Sequence, residues 1–265
     1  VQNMLDIVND PVCMSGSLDV SSPDFTVEEA IQVFSKCGVL LLKNAIPRDI
    51  LEPYKLKVTS YVKGLMNGRI DPVGKTTYGE GYFIHETSIH RYDICFTEDL
   101  LEESIMGNRL LLDIVLDDRV LGESISFLDH GAVISEPGSK YQHWHPDGDV
   151  FHSLFETHGL AGFDLPPPAV GVMVPLLNTT IKHGPTEFCM GQNAISRINE
   201  LPPFKDPALR QAFLDAIEYF YDGLCPPHHL RAPLPQFGDM MFFHYNMVHR
   251  GGENTSPDIR TILYL

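Results

Sequence analysis

The segment YQHWHPDGD, residues 141–149, constrains the chain most, because it places an imidazole and a carboxylate two residues apart in a predicted strand. Alternate side chains of a strand point to the same face, so His145 and Asp147 can offer one nitrogen and one oxygen to a single metal ion. Roughly one His-x-Asp triplet is expected by chance in a chain of this composition. A third ligand is therefore needed to define a site.

His249 is the best candidate for that third ligand. It follows the apolar, aromatic run MMFFH of residues 240–244, about a hundred residues after His145. Two histidines and one carboxylate with open coordination positions form the facial triad of non-haem Fe(II) oxygenases. The sequence thus predicts that His145, Asp147 and His249 are the metal ligands and the catalytic centre.

Arg260 follows His249 in the terminal apolar strand RTILYL, residues 260–265. A buried arginine is costly unless it meets an acceptor, and a planar guanidinium can bind a carboxylate through two parallel hydrogen bonds. A dicarboxylic cosubstrate would satisfy it, and so would a structural salt bridge to an acidic side chain. The residues alone leave both interpretations open.

A second histidine pair is less informative. His85 and His90 frame the run HETSIH, which is one residue longer than the H-E-x-x-H pattern that places two histidines on one helix face. A role in the pocket or at the surface is favoured over metal ligation for both.

The composition limits the partners. The formal net charge of −16 at pH 7 disfavours nucleic acid and anionic lipid, and it favours a small-molecule substrate. No apolar run approaches the length of a membrane span. The sequence gives no indication of the oligomeric state.

The five cysteines are odd in number, widely spaced and without a C-x-x-C pair. Such spacing does not indicate a disulfide framework. It predicts a reducing environment, which is why a cytoplasmic location is expected.

The first half of the chain is predicted to be mainly helical, over about residues 24–121. A capping box at Thr26 begins a helix that ends at Gly38, and the buried strand 39–43 follows. A second helix is predicted from Pro47 to about residue 65, and a third over 99–121 with a break near Gly107. Residues 69–97 show no clean period and are interpreted as a long ordered loop or irregular strands.

The second half, about residues 124–265, is predicted to be a jelly roll of eight short strands. These strands are 124–128, 132–135, 141–145, 151–156, 170–176, 186–189, 236–243 and 260–265. One helix, 206–221, is inserted between them. We therefore predict one domain over residues 1–265 that is mainly β with flanking helices (α+β), with a cupin-like, double-stranded β-helix core.

The chain resembles the phytanoyl-CoA dioxygenase-like family of Fe(II)/2-oxoglutarate-dependent oxygenases, which use a double-stranded β-helix. The matching segments are 34–46, 142–148, 184–193 and 238–256 together with Arg260. Residues 190–193 read MGQN where the family usually has P-G-S-H. That departure concerns the substrate side of the pocket and therefore whether the substrate is an acyl-CoA.

The resemblance implies roles for particular residues. His145, Asp147 and His249 would bind Fe(II), and Arg260 would pair with the distal carboxylate of 2-oxoglutarate. Thr186 and His143 are further candidates for contacts to this cosubstrate. An Asp at position 147, where halogenating relatives have a small residue, favours a non-halogenating outcome.

The activity that the resemblance implies uses O2 to oxidise an unactivated C–H bond of a small metabolite, in secondary or natural-product metabolism, with release of succinate and CO2. Hydroxylation, desaturation and oxidative cyclisation all fit. Two alternatives remain: a cupin-like metal-dependent hydrolase or isomerase, and a non-catalytic metal-binding barrel. Neither of these requires that Arg260 bind a keto acid.

Overall fold

The structure is a computed structural model, and it describes residues 9–66, 76–79, 82–96, 100, 102–123, 125–126, 128–147, 169–193, 225, 227–245 and 247–265. The predicted strand 151–156 and the predicted inserted helix 206–221 lie outside these ranges. The extent of the domain, 1–265, remains a prediction.

The first part of the chain contains two helices, one on each side of a short strand. Helix α1 is Pro11–Ser15 and helix α2 is Val27–Cys37. The Oγ1 atom of Thr26 accepts a hydrogen bond from the N–H of Glu29 at 3.1 Å, and Gly38 ends α2 with a φ of 72°. A left-handed residue of this kind favours glycine, so the predicted N-cap at Thr26 and the predicted helix end are confirmed.

Three further helices flank the sheet. Helix α3 is Arg48–Met66, α4 is Glu103–Met106 and α5 is Arg109–Val115. The predicted break near Gly107 is confirmed, because the side chain of Asn108 accepts from the N–H of Leu111 at 3.2 Å and begins a new helix. The last helix is shorter than predicted, since it ends at residue 115 and not at 121.

The larger sheet has nine strands in the order β1-β2-β10-β7-β12-β6-β5-β4-β3. The strands are β1 Ser17–Asp19, β2 Val39–Lys43, β3 Thr76–Gly79, β4 Tyr82–Ser88, β5 Arg91–Cys95, β6 Gly131–Ser135, β7 Val170–Pro175, β10 Met240–His244 and β12 Arg260–Tyr264. All neighbouring pairs are antiparallel except β1 and β2.

A smaller sheet has three strands in the order β11-β8-β9. These are β8 Thr186–Asn193, β9 Leu230–Arg231 and β11 Met247–Gly251. Phe188 of this sheet packs on Phe243 of the larger one, with ring centroids 5.6 Å apart. The two layers enclose the core and one large cavity, which is the jelly-roll arrangement predicted from the sequence.

Several strand predictions were wrong. The described part of the region 69–97 contains an antiparallel meander, β3-β4-β5, which extends the larger sheet and has a register shift between Glu86 and Ser88, so the expected loop is wrong and the expected irregular strands are present. Residues 125, 126 and 128 are not in a strand. Residues 141–144 are not in a strand either, and only His145 pairs, through a single bridge to His249.

The cysteine prediction was also wrong. Cys13 is bonded to Cys37 and Cys189 to Cys225, while Cys95 is free. Spacing rules detect local pairs, but these cysteines lie 24 and 36 residues apart and meet through the tertiary fold. The spacing therefore no longer supports a reducing, cytoplasmic location.

Across the described ranges, none of the helices has the length and apolar character that crossing a membrane requires.

Candidate metal centre

Main-chain hydrogen bonds bring the three predicted ligands together. His145 and His249 form an antiparallel bridge, in which the N–H of each donates to the carbonyl of the other at 3.0 and 2.9 Å. Two residues further on, the N–H of Asp147 donates to the carbonyl of Tyr245 at 3.1 Å. The segment 145–147 thus continues alongside β11 and β10, and its alternating side chains face the cavity.

The two imidazoles are oriented in the same way. Nδ1 of His145 lies 2.9 Å from the carbonyl oxygen of His143, and Nδ1 of His249 lies 2.9 Å from that of Met247. A carbonyl can only accept, so each Nδ1 carries the proton and each Nε2 keeps its lone pair. Such backbone contacts orient metal-ligating histidines in many proteins.

The lone pairs converge on the Asp147 carboxylate. Its Oδ1 lies 3.9 Å from Nε2 of His145 and 3.6 Å from Nε2 of His249, and the three potential ligand atoms lie within 4.8 Å of one another. Among the described residues, His145, Asp147 and His249 form the one group of three or more His, Cys, Asp or Glu side chains whose ligand atoms lie close enough together to hold a metal ion.

Burial suits the imidazoles to this role. Removal from water, reinforced by the proximity of His249, lowers the pKa of His145 to about 3. The His249 side chain is only 6% exposed and packs against the rings of Phe243 and Phe188, with centroids at 5.0 and 5.9 Å. Neutral imidazole is the form that binds a metal, and two nitrogens with one carboxylate oxygen suit Fe(II).

Arg260 lies at the deep end of the cavity and is 1% exposed. Its guanidinium donates to the carbonyl of Gly184 and, at 3.2 Å, to the hydroxyl of Ser135. Its Nε is buried without a hydrogen-bond partner. Neither contact is to a carboxylate, so the structural salt bridge considered from the sequence is not what this guanidinium forms.

A second buried guanidinium, that of Arg91, was missed by the sequence analysis. Arg91, Ser135 and Arg260 are register partners on the adjacent strands β5, β6 and β12. Arg91 is fully buried, donates to the carbonyls of Gly252 and Lys140, and leaves Nε and Nη1 without partners. Burial lowers its pKa to about 10.

Arg91 also approaches the metal-binding strand. A Cβ atom added to Gly251 would collide with Nη1 of Arg91 and would lie 2.6 Å from Oε1 of Gln142. That Oε1 accepts the Gly251 N–H at 2.9 Å, which leaves the Gln142 amide nitrogen as a donor at the cavity wall. If residues 91–95 had been interpreted as a strand, Arg91 and Asp93 would have been placed on the same face, and a charged cluster on that face would have been predicted.

The two weaker candidates differ in placement. Thr186 is buried, lines the cavity and donates to the sulfur of Met173 at 3.8 Å. His143 is exposed, and its ring lies against that of His145 with centroids 5.2 Å apart. Thr186 therefore lies where a bound cosubstrate could reach it, whereas His143 is on the outer side of a ligand.

The cavity has a volume of about 810 Å³ and opens between the two sheets. The metal ligands and Arg260 form one part of its wall. Its apolar lining comes from α4 and α5, from Leu121, Ile125 and Leu128, and from strands β6, β7, β10 and β12. This volume exceeds what a metal ion and a five-carbon diacid fill, so room remains for a further molecule.

The jelly roll and its site together define a metalloprotein of the two-histidine, one-carboxylate class. Within that class, the match to the phytanoyl-CoA dioxygenase family model extends over residues 34–262, and the chain belongs to this family. The prediction of a dioxygenase-family enzyme with a jelly-roll core is confirmed.

Individual relatives agree with this assignment. The chain is 28% identical to the iron/alpha-ketoglutarate-dependent dioxygenase ausU of Aspergillus calidoustus, over 91% of this chain and 71% of the relative. Two solved structures share the fold at 16% identity and a TM-score of 0.56. They are the non-heme alpha ketoglutarate dependent carbocyclase SnoK from nogalamycin biosynthesis and AviO1 from Streptomyces viridochromogenes Tue57. Each match covers 92% of this chain, together with 87% of the SnoK chain and 95% of the AviO1 chain.

Proposed function

We propose that this protein is an Fe(II)- and 2-oxoglutarate-dependent dioxygenase that oxidises a C–H bond of a small metabolite. His145, Asp147 and His249 hold the metal. Arg260 binds the distal carboxylate of 2-oxoglutarate, and Thr186 and Gln142, which also line the cavity, provide further contacts to the same dianion. Arg91 is fully buried outside the cavity lining and favours the dianion through its positive charge. His143 is proposed only as a residue that supports His145.

The observation that carries the proposal is the pair of buried guanidiniums. Arg91 and Arg260 face the same side of neighbouring strands with only Ser135 between them, and three of their nitrogens have no partner. Two like charges removed from water destabilise the fold unless they bind an anion. A dicarboxylate supplies two negative charges and several acceptor oxygens at this place, next to the metal ligands.

A hydrolase or isomerase with the same metal ligands would leave this pair unexplained. Such an enzyme needs the metal and a proton-transfer group, but no dianion at the deep end of its cavity. The dioxygenase uses both halves of the site.

When bound, Fe(II) would activate O2, which is the oxidant, and 2-oxoglutarate would supply two electrons as it loses CO2 and becomes succinate. The residues of this chain hold and orient the reactants. The Nδ1 contacts to main-chain carbonyls prevent the imidazoles from rotating, and the Asp147 carboxylate provides the negative ligand. Phe188 and Phe243 cover His249 and exclude water from one side of the centre.

The proposal is tested by anaerobic titration of Fe(II)-loaded protein with 2-oxoglutarate, followed by exposure to O2 and quantification of succinate. We expect a weak visible charge-transfer band in the wild type and succinate formation that increases with one class of compound in a metabolite panel. Arg260→Met should weaken 2-oxoglutarate binding by roughly 100-fold, the cost of removing a charge-assisted bidentate contact.

Arg109→Met is the matched control, because the Arg109 side chain is 91% exposed, pairs with Asp113 on the same helix and is not among the cavity-lining residues. It should bind 2-oxoglutarate like the wild type. Tight iron binding without 2-oxoglutarate binding would overturn the proposal in favour of the hydrolase or the non-catalytic barrel.

A further inference from the structure

Asp93 is a cavity residue that the proposed chemistry does not use. It lies on β5 two residues from Arg91, so it faces the same side of the sheet, and it lines the cavity. The carboxyl group is hydrogen bonded to the Tyr264 hydroxyl, while Oδ1 is buried without a partner. Burial raises the pKa of Asp93 to about 6.

The sheet is built to bring Tyr264 to this carboxyl. Tyr264 and Cys95 pair with opposite sides of Gly131 on β6. A Cβ atom at Gly131 would collide with the Tyr264 hydroxyl and with the carbonyl of Ile94, so the phenol crosses β6 over a residue without a side chain. The hydroxyl occupies one carboxylate oxygen and leaves the other, Oδ1, to accept.

The surroundings of this acceptor are apolar. Val133 and Ile262 are its register neighbours, and Val115, Leu121 and Ile125 line the cavity as well. At the mouth, Ile125 and Leu128 are 39% and 68% exposed. An exposed apolar rim of this kind favours a hydrophobic ligand.

The charges near the mouth are negative. Repulsion from Asp129 and Asp147 contributes to the raised pKa of Asp93, which places all three carboxyls within electrostatic reach of one another. Among the described residues that line the cavity, Arg260 is the one with a permanent positive charge, and it lies at the deep end. Among the described lining residues, a phosphate-bearing or carboxylate-bearing substrate would find no cation at the mouth.

From these observations we infer that the substrate is a largely hydrophobic, non-anionic molecule that carries one hydrogen-bond donor, a hydroxyl or an amine, from which the Oδ1 atom of Asp93 accepts a hydrogen bond. Asp93 is a specificity-determining residue, and Tyr264 is a positioning residue that holds it. The inference deepens the proposed function, on which it rests for the identity of the molecule as a substrate.

Three matched probes test it: trans-decahydro-2-naphthol, its methyl ether and the corresponding primary amine. Their dissociation constants are measured calorimetrically under anaerobic conditions, with Fe(II) and 2-oxoglutarate bound and again with neither. We expect the alcohol or the amine to bind at least about tenfold more tightly than the ether, because the ether leaves the buried acceptor unsatisfied. A preference for the amine indicates an ionised carboxylate, and a preference for the alcohol indicates a hydroxylated substrate.

Asp93→Leu should abolish the preference over the ether, and Asp24→Leu, an exposed aspartate on the surface, should keep it. Asp93→Asn retains the shape and an acceptor oxygen, so it provides a second test if the leucine variant does not fold. The Asp93→Asn variant should still bind the alcohol somewhat more tightly than the ether, and it should not bind the amine more tightly than the ether.

Equal binding of the three probes by the wild type, no binding of any probe, or an unchanged preference in Asp93→Leu would each overturn the inference. The proposed function fails separately, through the absence of 2-oxoglutarate binding. Probe discrimination by the unloaded protein would still be measurable in that case, so the two failures are distinguishable.

Discussion

His145 and His249 exchange both main-chain hydrogen bonds, at 3.0 and 2.9 Å, and their rings lie with centroids 4.6 Å apart. Residues 104 positions apart in the chain are thereby held as direct neighbours in an antiparallel bridge. The spacing of the two Nε2 atoms is set by the backbone and not by side-chain packing alone. The candidate metal site is therefore organised before any ion binds.

Removal of one ligand should abolish most of the metal affinity. His249→Ala deletes one of three donors and should weaken Mn(II) or Fe(II) binding by more than about 100-fold, which is the upper range for the loss of a residue that only supports a ligand. Anaerobic calorimetry measures the affinity. His90→Ala is the control, because His90 is exposed and lies near Glu136, outside the cavity. Equal affinity in wild type and His249→Ala would exclude His249 as a ligand.

His244 should make the free energy of unfolding depend on pH. Burial lowers the pKa of His244 to about 4, whereas the unfolded chain titrates near 6.5. Below pH 6.5 the unfolded state takes up a proton that the folded state does not, so stability is complete above this pH and falls as the pH decreases towards 4. Between pH 7.5 and 5 the loss is about 2 kcal/mol for this one group.

The side chain at position 244 cannot titrate in the variant His244→Gln. From pH 7.5 to pH 5, the unfolding free energy of the metal-free wild type should therefore fall by about 2 kcal/mol more than that of the metal-free variant. Urea unfolding at several pH values measures this difference. His145, whose pKa is also lowered, remains in both proteins and cancels in the comparison. Parallel curves for the two proteins would contradict the prediction.

The disulfide between Cys13 and Cys37 should stabilise the N-terminal part. It joins α1 to the end of α2 across 24 residues, and closing a loop of this length stabilises a protein by about 3 kcal/mol in the chain-entropy model. Cys13→Ser with Cys37→Ser should lower the unfolding free energy by that amount under non-reducing conditions. Fluorescence of Trp144, the single tryptophan, reports unfolding.

Cys95→Ser is the control for that experiment, because Cys95 is free and partly buried. Its effect should stay within about 1 kcal/mol. A double serine variant as stable as the wild type would show that the two sulfurs do not contribute a bond to the folded protein in solution.

The sequence predicted the three candidate ligands, which the fold brings together, because they belong to local patterns: an alternating His-x-Asp, and a histidine after an apolar strand. It also predicted Arg260, since a lone charge in an apolar strand is conspicuous. Arg91 and Asp93 were missed because residues 69–97 as a whole show no clean period, so the short alternation of these two residues with Tyr92 and Ile94 was not interpreted as a strand. The disulfides were missed because their partners approach each other only in the folded chain.

Arg250 should position the metal-binding segment from the face opposite His249. Its guanidinium carbon lies 4.4 and 4.5 Å from the ring centroids of Tyr141 and Trp144, and its Nε donates to Glu187 at 2.7 Å. The side chain thus ties the segment leading to His145 to strands β8 and β11. Arg250→Lys keeps the charge but loses the planar fork that stacks and binds at once.

We expect Arg250→Lys to weaken Mn(II) binding by about tenfold, in the range found for residues that orient a ligand, and to lower the unfolding free energy by about 1 kcal/mol through the lost cation–π contacts. Arg109→Lys, at an exposed position of α5, is the matched control and should change neither quantity. A loss of stability with unchanged metal affinity would show that Arg250 braces the sheet without positioning His145. A loss of both, with the emission of Trp144 shifted because its stacking partner has gone, is the outcome that the contacts of Arg250 predict.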